Sequence, residues 1–217
     1  SIRHTELAGY RTYVNSLDVR VLGVAGGSMV RASGNKLIDV GPRSAHIAGL
    51  AYSTFADPED IVDPELYFVT PKEGDPSDYV AIKCSNGKKY TITNTCAANV
   101  LGLTSPEYYA YGNRESATKA MKPLADYLNV SVEECARMIL SKACSKLIPV
   151  VRDLIEEYKL DEEQAVLVGC GGGAAALIPF IGQETGIKYK IPENADVISS
   201  IGVAMAMVRD TVERVIP

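Results

Sequence analysis

The residues able to do chemistry in this chain gather around glycine. The densest stretch reads Val166-Leu-Val-Gly-Cys-Gly-Gly-Gly-Ala-Ala-Ala-Leu-Ile-Pro179, an apolar run, a cysteine set among glycines, and small residues suited to open a helix. Glycine removes the side chain that keeps a ligand off the backbone. Exposed N–H groups at a helix start favour an anion or the polar edge of a base. A nucleotide is the natural candidate, and the competing reading is a turn that only lets helix and strand pack closely. Ser28 follows Gly26 and Gly27, where its hydroxyl can touch a ligand or serve an exposed turn. Arg43 and His46 stand three apart in the small-residue stretch Gly41 to Tyr52, which reads as a helix. They would share one face and reach an anionic substrate or phosphate; the alternatives are a surface ion pair and a hydrogen-bonded core histidine. Lys142 and Lys146 fall near the expected end of another helix, where they can reach a nucleotide or simply face the dipole and solvent.

The cysteines suggest less. Five of them, Cys84, Cys96, Cys135, Cys144 and Cys170, contain no Cys-x-x-Cys pair, so neither a disulfide framework nor a zinc site is indicated. Cys170 reads as a small residue filling a tight place rather than as a nucleophile. His4 and His46 make no metal spacing.

The elements that must position these residues are partly legible. Ser1 to Asn15 is polar, and its abrupt start suggests a processed or excised piece. Val19 to Ala32 reads as strand, glycine turn and strand, continued by Lys36 to Val40 after Ser33-Gly34-Asn35. Phe55 to Asp78 is proline-rich and acidic with little periodicity, as in a long surface excursion. Asn86-Gly87 between Tyr79–Cys84 and Lys89–Thr93 is the strongest hairpin signal. Thr95 is placed to cap a short helix through Leu101, Asn113 to Leu128 reads as an amphipathic helix, and Ser131-Val-Glu-Glu134 is a capping box. Pro149 should kink or restart that last helix before Val150 to Lys159. The closing helix carries Val197, Ile198, Ile201, Met205, Val208 and Val212 as its expected buried side.

With 47% hydrophobic residues the chain can bury a core, and its net charge of −5 lacks the basic face that collects phosphate backbones. Nucleic acid is thus not expected as a partner. No apolar run reaches the roughly 18 residues of a membrane span and no signal peptide opens the chain, so a cytoplasmic location is the default expectation.

Gly169-Cys-Gly171-Gly-Gly-Ala174 matches a dinucleotide fingerprint taken alone, and Glu193 lies at a suitable distance beyond it. A doubly wound domain needs several more strands after this unit, whereas one strand and one helix are expected before Pro217. The turn therefore belongs at the end of a domain, forming one wall of a site.

In that order of parts the sequence resembles the C-terminal half of the hydantoinase A and 5-oxoprolinase family, within the actin, sugar-kinase and Hsp70 superfamily. The resemblance is carried by Val21-Leu-Gly-Val-Ala-Gly-Gly-Ser28, Gly41-Pro-Arg-Ser-Ala45, Leu128-Asn-Val-Ser-Val-Glu-Glu-Cys-Ala-Arg-Met-Ile-Leu140, Tyr158-Lys-Leu-Asp161, the glycine turn, and Asp196-Val-Ile-Ser-Ser-Ile-Gly-Val-Ala204. It implies an α/β fold, a ribonuclease-H-like (actin-like ATPase) domain with a mixed sheet flanked by helices. Residues 1–217 would form the C-terminal part of that fold, with residues 55–94 a proline-rich excursion plus hairpin. It also implies an adenosine-facing role for Gly171, Gly172, Gly173 and Ala174; the residue reading adds Lys142 and Lys146 as expected further nucleotide contacts and places Ser28, Arg43 and His46 on the substrate side.

The implied reaction is ATP-dependent opening of a cyclic amide by phosphorylation of its oxygen, Mg arriving with ATP in the full-length protein. A related subunit of a ketone carboxylase, or a nucleotide-sensing, chaperone-like module, stands as the alternative. The superfamily's Asp-x-Gly-Thr-like phosphate loops do not occur between Ser1 and Pro217. An N-terminal half or companion subunit is therefore expected to supply them, and this piece alone should not hydrolyse ATP. Where the family often reads Gly-Pro-Ala-Cys-Tyr-Gly, this chain has Gly49-Leu-Ala-Tyr-Ser-Thr54, which leaves the usual substrate open.

Overall fold

The computed structural model describes residues 2–7, 10–17 and 19–206, the first two ranges as backbone. Strands β1 (Ile2–Leu7) and β2 (Tyr10–Leu17) pair antiparallel, with Ile2 opposite Leu17. The polar opening of the sequence had given no sign of them.

A mixed six-stranded sheet follows. It holds β3 (Ser28–Ser33), β4 (Lys36–Ser44), β5 (Ala51–Tyr52), β6 (Glu65–Val69), β7 (Tyr79–Lys83) and β8 (Lys89–Thr91). The order is β4-β3-β7-β8-β5, with β6 beside β7, and β5 runs parallel to β8 while the other pairs are antiparallel. The β3–β4 hairpin turns at Gly34 and Asn35, whose φ values of 56° and 58° supply the left-handed backbone conformation that a two-residue turn between twisted strands requires. The Asn86-Gly87 hairpin forms as its sequence predicts, closed by Cys84 N–H donating to the Lys88 carbonyl at 2.9 Å.

Tyr79, Val80, Ala81 and Ile82 of β7 are all buried, on both faces of the sheet. Val80 and Ile82 join the main core, and Tyr79 packs with Met29 and Ala45 on the other side of the sheet. The turn at residues 45–49 covers that second side, which is why a helix is absent from Gly41 to Tyr52: β4 continues to Ser44 and the chain then folds back. Within the excursion, Pro58 starts a one-turn helix, while Glu65 to Val69 pairs fully with β7. Cross-strand contacts, not local periodicity, make that segment a strand. Residues 19–25, read as a strand, are irregular, and Val19 and Val21 are exposed.

Helix α1 (Asn94–Val100) is buried at every residue and lies among the sheet, α2 (Arg114–Leu128), α3 (Val132–Glu157) and α4 (Ala174–Thr185). Its cap is Thr93, which accepts from Cys96 N–H; the expected cap, Thr95, instead ties the helix to Gly26. Met121, Leu124, Ile139 and Leu140 are fully buried at these helix contacts, each contributing on the order of 1.5–3 kcal/mol. Helix α3 opens on Ser131, whose Oγ accepts from Glu134 N–H, and runs unbroken through Pro149. Pro149 is exposed, so the Ser145 carbonyl that loses its partner can turn to water.

Strands β9 (Val166–Val168) and β10 (Lys188–Lys190) pair in parallel with α4 crossing between them. Helix α5 (Ile198–Met205) follows with no buried residue, against the expectation of a buried side; Val208 and Val212 lie outside the described residues. Among the described residues no helix is long and apolar enough to cross a membrane.

Candidate functional site

The glycine turn forms as the sequence predicts, strung between β9 and the start of α4. Gly169 N–H donates to the Lys190 carbonyl at 2.9 Å and Gly171 N–H to the Ala195 carbonyl at 2.6 Å, so the turn is fixed to the segment beyond β10. Gly171 sits at φ +90°, a conformation that side-chain-bearing residues avoid, and the position of an added Cβ there meets open space. The N–H groups of Gly172 and Gly173 meet no acceptor among the described residues, leaving donors at the head of α4.

The three consecutive glycines serve different ends. A Cβ on Gly173 would lie 2.9 Å from Gly26 N, because the turn at residues 25–28 packs directly against it. A Cβ on Gly172 would lie 2.8 Å from Tyr109 Cδ1, whose ring rests on that glycine. Protein thus occupies the space over Gly172 and Gly173, and only Gly171 keeps an open face.

Helix α1 holds the facing turn in place. Thr95 N–H and its hydroxyl both donate to the Gly26 carbonyl, at 2.9 and 3.0 Å, and Asn94 Nδ2 donates to the Ala25 carbonyl at 2.9 Å. The Asn94 Oδ1 atom is buried without a partner among the described residues.

Three clefts meet at the turn. The first, about 370 Å³, runs between Gly171-Gly172 and the segment Ile191 to Asp196, with Tyr108, Tyr109 and Glu107 opposite. None of its lining residues is basic, and three, Glu107, Glu193 and Asp196, are acids. Hydrogen bonds from the Ser105 hydroxyl and from its own backbone hold the Glu107 carboxyl below its ordinary range. The second cleft, about 180 Å³, separates the two glycine turns and is walled by Tyr52, Phe55, Thr95 and Tyr109. Burial raises the Tyr52 phenol, and its ring stacks on Phe55 at 5.5 Å. The third, about 620 Å³, is lined mainly by apolar residues of α3 and α4 together with Leu22 and Val24. The first and third fall within the roughly 300–1,000 Å³ of small-molecule pockets. The first offers polar edges beside aromatic rings, as a neutral nucleoside needs, and carries no cationic side chain to neutralise phosphate.

The other residues proposed from sequence line none of these three clefts. Ser28 is buried and turns its hydroxyl inward to accept from Ala25 N–H at 2.9 Å. Arg43 grips Asp75 with Nε at 2.8 Å and Nη2 at 2.8 Å, the ion-pair reading. The Asp75 hydrogen bonds raise the Arg43 pKa. His46 is exposed in a turn, 3.2 Å from Ser44 Oγ, and is neither on a helix with Arg43 nor in the core.

Lys146 lies in mid-helix, bonded to the Val40 carbonyl at 2.9 Å and to Asp39 at 2.5 Å, where it ties α3 to β4. Burial pushes the Asp39 carboxyl up, but hydrogen bonds from Lys146 and Val40 N–H bring it below its ordinary value. Lys142 is half-buried on the same helix. Cys170 is exposed rather than filling a tight place, and the other four cysteines are buried. Burial pushes Cys135 and Cys144 up to about 12. Among the described residues no cluster of histidine, cysteine and acids could hold a metal ion.

Sequence reading missed the part played by Tyr109 and Thr95. The tyrosine cluster Tyr108, Tyr109 and Tyr111 was visible, but nothing local said that one ring would lie over a glycine more than sixty residues later.

Comparison with known proteins agrees with this architecture. The family model described as Hydantoinase/oxoprolinase matches residues 2–212. The caprolactamase subunit alpha of Pseudomonas jessenii is 25% identical over 213 residues, covering 95% of this chain and 26% of that protein. Among solved structures, acetone carboxylase in its nucleotide-free form, from a study of ATP-dependent acetone carboxylation, superimposes with a TM-score of 0.58 at 20% identity. That match covers 94% of this chain and 26% of the other. The fold is thus shared, and the chain spans about a quarter of the length of these relatives.

Proposed function

The chain belongs to the hydantoinase/oxoprolinase family, and from that premise we propose that it forms the nucleoside-facing part of an ATP-dependent enzyme acting on a cyclic amide. The observation that carries the reading is the open face of Gly171 beside a cleft with aromatic and acidic walls and no basic residue. Gly171 would admit the nucleoside against the backbone, beside the Tyr109 ring that rests on Gly172. Glu107, Glu193 and Asp196 would accept hydrogen bonds from ribose hydroxyls or a base amine. ATP, when bound, would supply the phosphoryl group that activates the amide oxygen. Lactam opening is suggested by the name of the caprolactamase relative, and a ketone is the second substrate class, favoured by the likeness to acetone carboxylase.

The phosphates would be held by polypeptide beyond this quarter of the relatives' length, whether an upstream region or a companion subunit. Ser28, Arg43, His46, Lys142 and Lys146 are left out of the nucleoside contacts, since each lies outside the walls of the clefts at the turn.

Calorimetric titration with adenosine, AMP and ATP tests the reading. Adenosine should bind weakly, with no gain on adding phosphates, because the acidic wall offers them no counter-charge. Gly172→Asp should abolish binding by driving a charged side chain into the Tyr109 ring and the cleft. Clear preference for ATP over AMP, or wild-type binding by the substituted chain, would refute it.

A further inference from the structure

The glycine turn has one neighbour whose exposure its surroundings do not account for. Tyr109 is 72% exposed, yet the backbone on either side of it is held by hydrogen bonds. Asn99, nearly buried on α1, donates through Nδ2 to the Ala110 carbonyl at 2.8 Å and accepts through Oδ1 from Gly112 N–H at 2.8 Å. Tyr108 N–H donates to the Ser105 carbonyl at 3.0 Å and Tyr111 N–H to the Tyr108 carbonyl at 2.9 Å, closing the turns on either side. Hydrogen-bonded flanks on both sides therefore present an aromatic ring largely to solvent.

The ring has a backing. Its Cδ1, Cε1 and Cγ atoms are the closest atoms to the vacant side-chain position of Gly172, at 2.8, 3.3 and 3.5 Å, so only glycine lets the ring settle there. Tyr52 and Phe55 are already stacked on each other, whereas Tyr109 has no ring partner among the described residues. It lines both the 370 Å³ cleft and the 180 Å³ cleft, standing at the boundary between them. Burying an aromatic ring is among the larger single gains available to a fold. A ring left exposed, with its backbone fixed and one side seated on glycine, is preorganised for a planar ligand.

The geometry points to Tyr109 as the stacking platform for the base, a ligand-positioning residue that the glycine turn supports from behind. The inference rests on the nucleoside reading of this site and refines it. Gly172 serves the ligand by seating the ring, and Gly171 serves it by leaving backbone open. The partner chemistry is a neutral planar heterocycle carrying a polyhydroxylated sugar, the sugar lying toward Glu193 and Asp196.

Because the chain contains no tryptophan, Tyr109→Trp places a single indole reporter on the platform. Adenosine should quench its emission and D-ribose should not. In calorimetry, Tyr109→Ala should weaken adenosine about tenfold and Tyr109→Phe by less than about twofold, since stacking needs the ring and not the hydroxyl. Thermal melts of each variant establish that the chains are folded. If wild type binds adenosine and Tyr109→Ala binds it equally well or better, the ring is no platform, and the nucleoside reading survives. If wild type shows no heat with adenosine and the indole is unquenched, the nucleoside reading falls and the platform with it.

Discussion

At the scale of single residues, glycine does three separate jobs within one turn. Gly171 supplies a backbone angle, Gly172 a seat for a ring, and Gly173 a close approach to Gly26. The last predicts a stability effect independent of any ligand. In Gly173→Ala the new methyl must push against the Gly26 backbone, which Thr95 holds by two hydrogen bonds. Overpacking of this kind costs about 1–3 kcal/mol. Urea denaturation should show the loss as a lower midpoint, and an unchanged midpoint would mean that the two turns are not packed as described. Identical residues in sequence thus part company in space. The run of glycines was legible as a close-approach motif, but what approaches each one was not, since Gly26 and Tyr109 reach it from distant parts of the chain.

At the scale of elements, what could be read depended on whether an element was shaped by its own residues or by its neighbours. The helix cap at Ser131, the Asn86-Gly87 hairpin and the β9–turn–α4 unit carry their signals locally, and all three form. Strand β6 is made by pairing along β7, so a proline-rich surround hid it. The small residues from Gly41 to Tyr52 imitate a helix because small residues also suit an extended strand and a tight turn over a second core cluster. Arg43 accordingly joins elements. Its Asp75 partner, lowered first by the hydrogen bonds from Arg43, fastens the end of β4 to the loop before β7.

Because the folded pKa of Asp75 is depressed, the pair contributes fully above the ordinary carboxylate value near about 4 and is lost as pH falls through the folded value. The stability gap between wild type and Asp75→Asn should therefore be widest near neutrality and close in acid. A gap that stays constant from neutral pH to about pH 3 would contradict the pairing.

At the scale of the whole molecule, a mixed sheet and three helices enclose α1, and the functional features collect at one end of that core, where the two glycine turns meet. The α/β class and the family were legible because the signals lie in order along nearly the whole chain, as the match over residues 2–212 bears out. The distribution of charge was not legible, because Glu107, Glu193 and Asp196 come together only through folding. On the proposed reading, the acidic wall and the exposed ring would both select a flat, neutral base with hydroxyls, its phosphates held elsewhere.

The central claim is one of place, so the most direct measurement is an amide NMR titration of this 23.3 kDa chain with adenosine. The account predicts that the largest shifts fall on Gly171, Gly172, Tyr109 and Ala195, with Ser28, Arg43, His46 and Lys146 unmoved. Shifts centred on those latter residues, or none at saturating adenosine, would contradict it.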